Sequence, residues 1–91
     1  MLIALIARDK PDSAAVRAEN RPAHLEFLKG HAAMVAQAGP LLDGEGGMIG
    51  SLIILDVDDM AAAEGFAQAD PYAKAGLFAS VELIEWKRVI G

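Results

Sequence analysis

One histidine and one aspartate have the residue types and positions in this chain that suggest acid/base chemistry. His24 follows Arg21-Pro22-Ala23 near the start of the longest predicted helix. At 3.6 residues per turn, it falls on the helix face that should turn towards the core. The residues predicted to share that face are Leu28, Ala32 and Val35. An imidazole in this position is either packed and hydrogen-bonded, or it lines a pocket.

Asp70 precedes Pro71 at the end of a second predicted helix, and two interpretations of it are open. The carboxylate either caps the helical turn that begins at Pro71, or it binds one nitrogen of His24. In the second case it would fix the imidazole tautomer and raise the basicity of the ring. The other nitrogen would then act as a general base or acid in a pocket.

Five further residues are candidates for the walls of such a pocket. Arg17 and Arg21 lie one helical turn apart and either offer cations to a carboxylate or phenolate, or are solvated surface charges. Ser51 begins a central strand and either donates a hydrogen bond or is only a small residue beneath a helix. Pro40 and Tyr72 are candidate wall residues, although a buried phenol can equally be structural.

Metal and cofactor chemistry find little support in the sequence. His24 and His31 are seven residues apart, which is roughly 10.5 Å along a helix and too far for one ion. Zinc-binding pairs on helices are usually four residues apart. The chain has no cysteine, which removes thiolate catalysis and cysteine-based zinc sites. Residues 44–47, Gly-Glu-Gly-Gly, lack the Lys-Ser/Thr of a phosphate loop and predict a hairpin turn. We therefore expect no metal and no organic cofactor.

The order of the predicted elements is β-α-β-β-α-β. The predicted strands cover residues 2–8, a short stretch from 41, 48–57 and 77–89. The predicted helices cover 14–20 and 22–38, either as one kinked helix or as two, then a helix capped by Asp58 or Asp59 and running to 69, and a short turn over 70–76. Gly39-Pro40 is the predicted end of the long helix. This order is typical of the ferredoxin-like α+β fold, an antiparallel sheet with its helices on one face.

The composition predicts one domain, residues 1–91, that pairs with a second copy. Hydrophobic residues make up 54% of the 91 residues, which is high for a small domain with a polar surface. The first strand is apolar on both faces, so the uncovered sheet face should pack against a partner subunit. We therefore expect a homodimer that pairs sheet to sheet, as in a dimeric α/β barrel.

Charge and hydropathy limit the other partners. A net charge of −5 argues against nucleic acid, because phosphate binding requires clustered cations. The apolar N-terminal stretch is too short for a membrane span and lacks the basic region of a signal peptide. The sequence thus predicts a cytoplasmic protein without a membrane or nucleic-acid partner.

Several short motifs, spread over nearly the whole chain, resemble the YciI-like (YCII-related) family. They are Arg21-Pro22-Ala23-His24-Leu25, Ala38-Gly39-Pro40-Leu41, Gly50-Ser51, Ala69-Asp70-Pro71-Tyr72 and Gly76. The resemblance implies a ferredoxin-like fold in a dimeric α/β barrel. It also implies that His24 and Asp70 form a pair in a cleft, and relatives that degrade chlorinated aromatics use such a pair for acid/base elimination.

Three hypotheses about function follow. In the first, the protein is a cofactor-independent enzyme of the lyase or isomerase type, in which His24 and Asp70 transfer a proton on a small anionic or phenolic compound. In the second, the same cleft belongs to a non-catalytic ligand-binding or accessory module. In the third, the His–Asp pair only stabilises the fold.

Overall fold

Four strands and three helices follow one another in the computed structural model, which describes residues 1–91. They are β1 (Leu2–Asp9), α1 (Ala14–Gly30), β2 (Val35–Leu42), β3 (Met48–Asp56), α2 (Met60–Ala69), α3 (Pro71–Lys74) and β4 (Phe78–Trp86). The strands form one sheet in the order β2-β3-β1-β4, and every neighbouring pair is antiparallel. This is the ferredoxin-like topology, so the predicted fold class is confirmed.

Alternate residues of the central strands turn towards the helices. Ile3 of β1 pairs with Leu55 of β3, and Leu5 pairs with Ile53, so these side chains share one sheet face. All four are buried in the main hydrophobic cluster. The helix residues that complete this cluster are Ala63 and Phe66 of α2, with Phe27 and Leu28 of α1 packed against it. The two long helices therefore cover the same face of the sheet.

The opposite sheet face has no helix over it. Leu52 on β3 and Ile84 and Trp86 on β4 are 39%, 48% and 39% exposed. Leu52 alternates with the buried residues of β3, and Ile84 and Trp86 pair with Ala4 and Leu2 of β1. They lie on the face that α1 and α2 leave open.

Helix α1 differs from the prediction at its C-terminal end. It is one continuous helix that contains Pro22 and stops at Gly30, not at residue 38. Gly30 weakens helix continuation, and the backbone N–H of His31 closes the last turn on the carbonyl oxygen of Leu28 at 3.1 Å. Ala32 and Val35 therefore do not share a helix face with His24.

Strand β2 occupies the residues that were expected to end that helix. Gly39 and Pro40 lie inside it, so their interpretation as a helix stop was wrong. Proline is tolerated here because β2 is an edge strand and an edge position can do without one backbone donor. β2 thus begins at Val35, ahead of the predicted start at Leu41.

The remaining elements lie close to their predicted positions. Asp59 caps α2 by accepting a hydrogen bond from the Ala62 N–H at 2.8 Å. The residues between β2 and β3 form the predicted turn, in which Asp43 accepts from the backbone N–H of Glu45 and Gly47. β4 ends at Trp86, three residues short of the predicted limit. No helix combines the length and the apolar character that crossing a membrane requires.

Candidate active site

His24 and Asp70 are brought together by the packing of α1 against α3. The Nδ1 atom of His24 lies 2.9 Å from Oδ1 of Asp70. The two residues are 6% and 1% exposed, so little water competes for this hydrogen bond. His24 projects from the middle of α1, and Asp70 occupies the junction where α2 ends and α3 begins.

Asp70 has both of the roles that the sequence left open. Its Oδ1 also accepts a hydrogen bond from the backbone N–H of Tyr72 at 2.9 Å, which caps α3, and Pro71 stands at the first turn of that helix. An ionised carboxylate can only accept hydrogen bonds, so His24 must be the donor to Asp70. The proton of the neutral imidazole therefore belongs on Nδ1. Nε2 is left as the basic nitrogen.

Arg17 forms a buried ion pair with Asp9 next to the His24–Asp70 pair. Its Nε donates to Oδ2 of Asp9 at 2.7 Å and its Nη2 donates to Oδ1 at 2.9 Å. Nη2 also donates to Oγ of Ser51 at 3.0 Å. Burial lowers the pKa of Arg17, but the hydrogen bond and charge of Asp9 outweigh burial and raise that pKa overall. Arg17 is therefore a fixed cation whose charge Asp9 balances.

Sequence reasoning missed Asp9, which directly follows the first predicted strand at residues 2–8. The available signal was its position at the end of β1, eight residues before an arginine in the first turns of the returning helix. A helix that packs back over the strand brings the two side chains together. A buried arginine needs such a partner, because an unpaired buried charge is costly.

A glycine keeps this end of the sheet closely packed. Gly50 is buried in β3 beside Ser51. A Cβ atom there would collide with the backbone carbonyl oxygen of Ala7, and it would lie 3.0 Å from Leu41. Glycine therefore lets β1 and β3 approach at the point where Ser51 meets Arg17.

Tyr72 packs against both His24 and Arg17. Its ring is stacked on the imidazole with 4.0 Å between centroids and 15° between planes. The Arg17 guanidinium carbon lies 4.5 Å from the Tyr72 ring centroid. Burial raises the pKa of the Tyr72 hydroxyl above its usual range, although the charges of Arg17 and Arg21 act in the opposite direction.

These side chains line one cavity of about 160 Å³. Every site residue singled out in the sequence lines it except Asp70, which lies behind His24. The polar lining consists of Arg17, Arg21, His24, Ser51 and Tyr72, and Pro40 is also part of the wall. Arg21 is exposed and takes part in none of the ion pairs of the structure. It is the cation that stays available to a ligand.

The rest of the wall is apolar, and sequence reasoning did not identify it. It comprises Leu25, Leu28, Met48 and Ile53, with Ala38 and Gly39 of β2. The two β2 residues among these were hidden by the incorrect end of the long helix, which placed Ala38 in the helix and Gly39 at its stop. No group of three or more His, Asp or Glu side chains is arranged to hold a metal ion.

The fold and the cavity together define a ferredoxin-like α+β domain with a His–Asp pair behind a small polar-and-apolar pocket. The family described as the YCII-related domain matches residues 1–87. A protein named YciI from Escherichia coli O6:H1 is 36% identical, over 98% of this chain and 99% of its own length. The chain belongs to the YciI-like family.

Two solved structures are similar to this chain. One is the 5-chloro-2-hydroxyhydroquinone dehydrochlorinase of Burkholderia phenoliruptrix AC1100 in complex with 2,5-dihydroxybenzoquinone, with a TM-score of 0.87, 33% identity, and coverage of 96% of this chain and 94% of that one. The other is a dimeric ferredoxin-like protein of unknown function from Jannaschia sp. CCS1, with a TM-score of 0.53, 22% identity, and coverage of 93% and 98%. The second likeness concerns the fold alone.

Proposed function

We propose that this chain is a cofactor-independent enzyme that transfers a proton in the elimination or isomerisation of a small phenolic or anionic one-ring compound. The observation that carries the proposal is the buried hydrogen bond of 2.9 Å between His24 and Asp70, on an imidazole that also lines a cavity. A base with a fixed tautomer and access to a ligand is the arrangement that general acid/base catalysis requires.

In this proposal, Nε2 of His24 takes a proton from a ring carbon or a hydroxyl of the substrate. Asp70 holds the Nδ1 proton and stabilises the imidazolium that forms. In an elimination, the electron pair released from the substrate expels a leaving group on the neighbouring carbon. In an isomerisation, the imidazolium returns the proton to a different atom of the same molecule.

The size and lining of the cavity support a one-ring substrate. A cavity of about 160 Å³ is close to the roughly 150 Å³ of an engineered cavity that binds benzene. The apolar wall suits the faces of a ring, and Arg21 suits an oxygen anion on its edge. The dehydrochlorinase that is 33% identical binds 2,5-dihydroxybenzoquinone, a ring of this size with acidic oxygens.

A panel of one-ring phenols, quinones, carboxylates and lactones tests the proposal. Wild-type protein, Asp70→Asn and Lys74→Met are incubated with each compound, and the products are followed by chromatography. Lys74 is exposed on α3 and outside the cavity, so Lys74→Met is the control. We expect turnover by wild type and by the control, and a strong loss in Asp70→Asn.

Two other outcomes would change the conclusion. Saturable binding of panel compounds without any turnover would favour the alternative function, a non-catalytic ligand-binding or accessory module. Turnover that survives intact in Asp70→Asn would remove the His–Asp mechanism.

The proposal includes a homodimer formed through the open face of the sheet. Leu52, Ile84 and Trp86 are exposed on that face, and a shallow groove of about 450 Å³ runs along β2 and β3 beside Leu52 and Ile54. Contiguous apolar surface of this kind favours a protein partner. A second copy supplies the same surface, and two such faces can pair symmetrically.

Light scattering coupled to size-exclusion chromatography at micromolar concentration tests the homodimer. We expect a dimer mass for wild type and for Gln68→Glu, which adds the same charge on the exposed side of α2. Ile84→Glu should dissociate the dimer, because it buries a carboxylate between the sheets. A monomeric wild-type mass would contradict the homodimer.

The cytoplasmic location and the lack of a nucleic-acid partner stay predictions from the sequence.

A further inference from the structure

Tyr72 is a buried polar residue of the cavity that the proposed proton transfer does not use. It is 1% exposed and is the second residue of the short helix α3, directly after Pro71. His24 stacks on its ring at 4.0 Å, and Phe78 packs edge-on against it at 6.0 Å. The ring is therefore held in one orientation, and its hydroxyl has a defined place at the cavity wall.

The Tyr72 hydroxyl has no acceptor within the chain. The hydrogen bond that this residue donates to Asp70 comes from its backbone N–H. The hydrogen-bonding side chain that acts on this hydroxyl is Arg17, and a guanidinium can only donate. The open space next to Tyr72 is the cavity that His24 also lines. A phenol hydroxyl without an acceptor in the protein is free to donate to a ligand.

The electrostatic surroundings make this hydroxyl a donor and not a base. Burial raises the pKa of Tyr72, so the proton stays on its oxygen at neutral pH. The positive charges of Arg17 and Arg21 lie close enough to oppose that shift. Cations beside a neutral phenol draw electron density from its O–H bond and strengthen the hydrogen bond that it donates.

We propose that Tyr72 is a further catalytic residue, whose hydroxyl donates a hydrogen bond to the substrate oxygen on which negative charge develops as His24 removes a proton. This inference rests on the proposed function. The electron pair of the broken C–H or O–H bond moves onto the conjugated oxygen of the ring. Tyr72 keeps its proton throughout, and the proton that leaves the substrate resides on Nε2. A donor fixed before the reaction stabilises that charge without reorganisation.

The variant Tyr72→Phe tests the role of the hydroxyl and keeps the ring that stacks on His24. The probe is 2,5-dihydroxybenzoquinone, an acidic ring compound, titrated into each protein by calorimetry. Hydrogen bonds to charged acceptors have strengths that correspond to roughly 10- to 150-fold in affinity. We expect Tyr72→Phe to bind the probe more weakly by that factor, with an unchanged melting temperature in the absence of the probe.

Because Tyr72 is the one tyrosine of the chain, a second measurement needs no variant. Wild-type protein labelled with ¹³C at the tyrosine ring carbon that bears the hydroxyl gives one resonance in the NMR spectrum. We expect the probe to move this resonance and to shift the alkaline titration of Tyr72 to higher pH, because an anionic acceptor opposes loss of the proton. A role limited to stacking would leave both unchanged.

The outcomes separate this inference from the function on which it rests. Binding that is equal in wild type and Tyr72→Phe, with a tyrosine resonance that the probe does not move, would overturn the role of Tyr72. The His–Asp mechanism would survive that result. A wild-type protein that does not bind the probe at millimolar concentration would count against the proposed substrate class and this inference together.

Discussion

His24 of α1 and His31, which directly follows α1, have different partners, although they lie only seven residues apart. The Nδ1 atom of His31 makes a 2.8 Å hydrogen bond to the carbonyl oxygen of Phe27, one turn earlier, and its ring packs against phenylalanines. His24 instead bonds a carboxylate that is 46 residues away in the sequence. Either partner can fix a tautomer, but only a carboxylate also neutralises the charge of an imidazolium. The partner, and not the helix face, thus distinguishes a candidate base from a packed ring.

Replacing each histidine in turn is the most direct test of this difference between them. We expect His24→Gln to lower turnover by about 10²- to 10⁴-fold, the usual contribution of a positioned acid/base group. His31→Gln should leave turnover close to that of wild type, because His31 does not line the cavity. Both rates are measured under saturating amounts of the compound that wild type converts.

Comparable losses in the two variants would mean that His24 acts through the stability of α1. Thermal unfolding of both variants provides the control for that alternative. A His24→Gln protein that melts near wild type but has lost turnover would show that His24 acts in the reaction and not through the stability of α1.

Two capping aspartates allow a matched test of the partner of His24. Asp59 and Asp70 each accept a backbone N–H at a helix start, but only Asp70 also binds an imidazole. Asparagine caps helices about as well as aspartate, so Asp59→Asn should have little effect on stability. Asp70→Asn should cost about 1–2 kcal/mol, because it replaces a charged acceptor by a neutral one in a buried hydrogen bond.

Urea unfolding at neutral pH measures both free energies of unfolding. Equal costs for Asp59→Asn and Asp70→Asn would show that capping accounts for the whole role of Asp70. In that case, the bond to His24 adds nothing to the stability of the domain.

Each histidine also has a cation nearby in the sequence. Removing these two cations should affect ligand binding differently, but by less than the histidine replacements affect turnover. Arg21 lines the cavity and Lys29, near His31, does not. Exposed ion pairs contribute about 0.2–1 kcal/mol, so Arg21→Met should weaken binding of 2,5-dihydroxybenzoquinone only by up to about 5-fold. Lys29→Met should not change it. Titration at low and high salt checks this, since the Arg21 contribution should shrink as salt rises.

The aromatic neighbours of the two histidines predict a last difference, which appears only at alkaline pH. His24 stacks on the titratable Tyr72, whereas His31 contacts phenylalanines. Burial raises the pKa of Tyr72 in the folded state above the unfolded value of about 10. The contribution of Tyr72 to the free energy of unfolding is therefore retained below about pH 10 and is lost as the pH rises through the folded pKa.

Denaturant unfolding of wild type and Tyr72→Phe between pH 8 and 11 measures this effect. We expect the wild type to lose stability relative to Tyr72→Phe above about pH 10, since phenylalanine cannot ionise. Parallel pH dependence in the two proteins would mean that the Tyr72 hydroxyl ionises as easily in the folded chain as in the unfolded one.

Local patterns in the sequence were sufficient to predict β1, β3 and α2. Their apolar runs and caps lie within a few residues of one another, and no distant contact is needed to define them. The predicted end of α1 was wrong because a distant contact decides the conformation there. Residues 32–38 have good helix formers among them, but the backbone from Val35 onwards pairs with β3, and that pairing decides its conformation.

In the candidate site, too, local features were predictable from the sequence and distant contacts were not. Residue type and position identified His24 and Asp70 as candidates, yet their contact depends on how α1 packs against α3. The Arg17–Asp9 pair was missed because it forms only when α1 crosses back over the end of β1. Side-chain chemistry is local in the sequence, whereas the distances between groups follow from the tertiary fold.

The cavity is built from both halves of the chain, because α1 and β2 of the first half and β3 and α3 of the second half all contribute lining residues. A ligand that fills it will therefore clamp segments that must separate when the domain unfolds. At a concentration 100-fold above its dissociation constant, such a ligand adds about 2.7 kcal/mol to the free energy of unfolding. For a domain of this size, that corresponds to a rise in melting temperature of about 10–20 °C. Heating the protein with each member of a metabolite collection is thus a direct way to find its natural ligand, even while the reaction is unidentified.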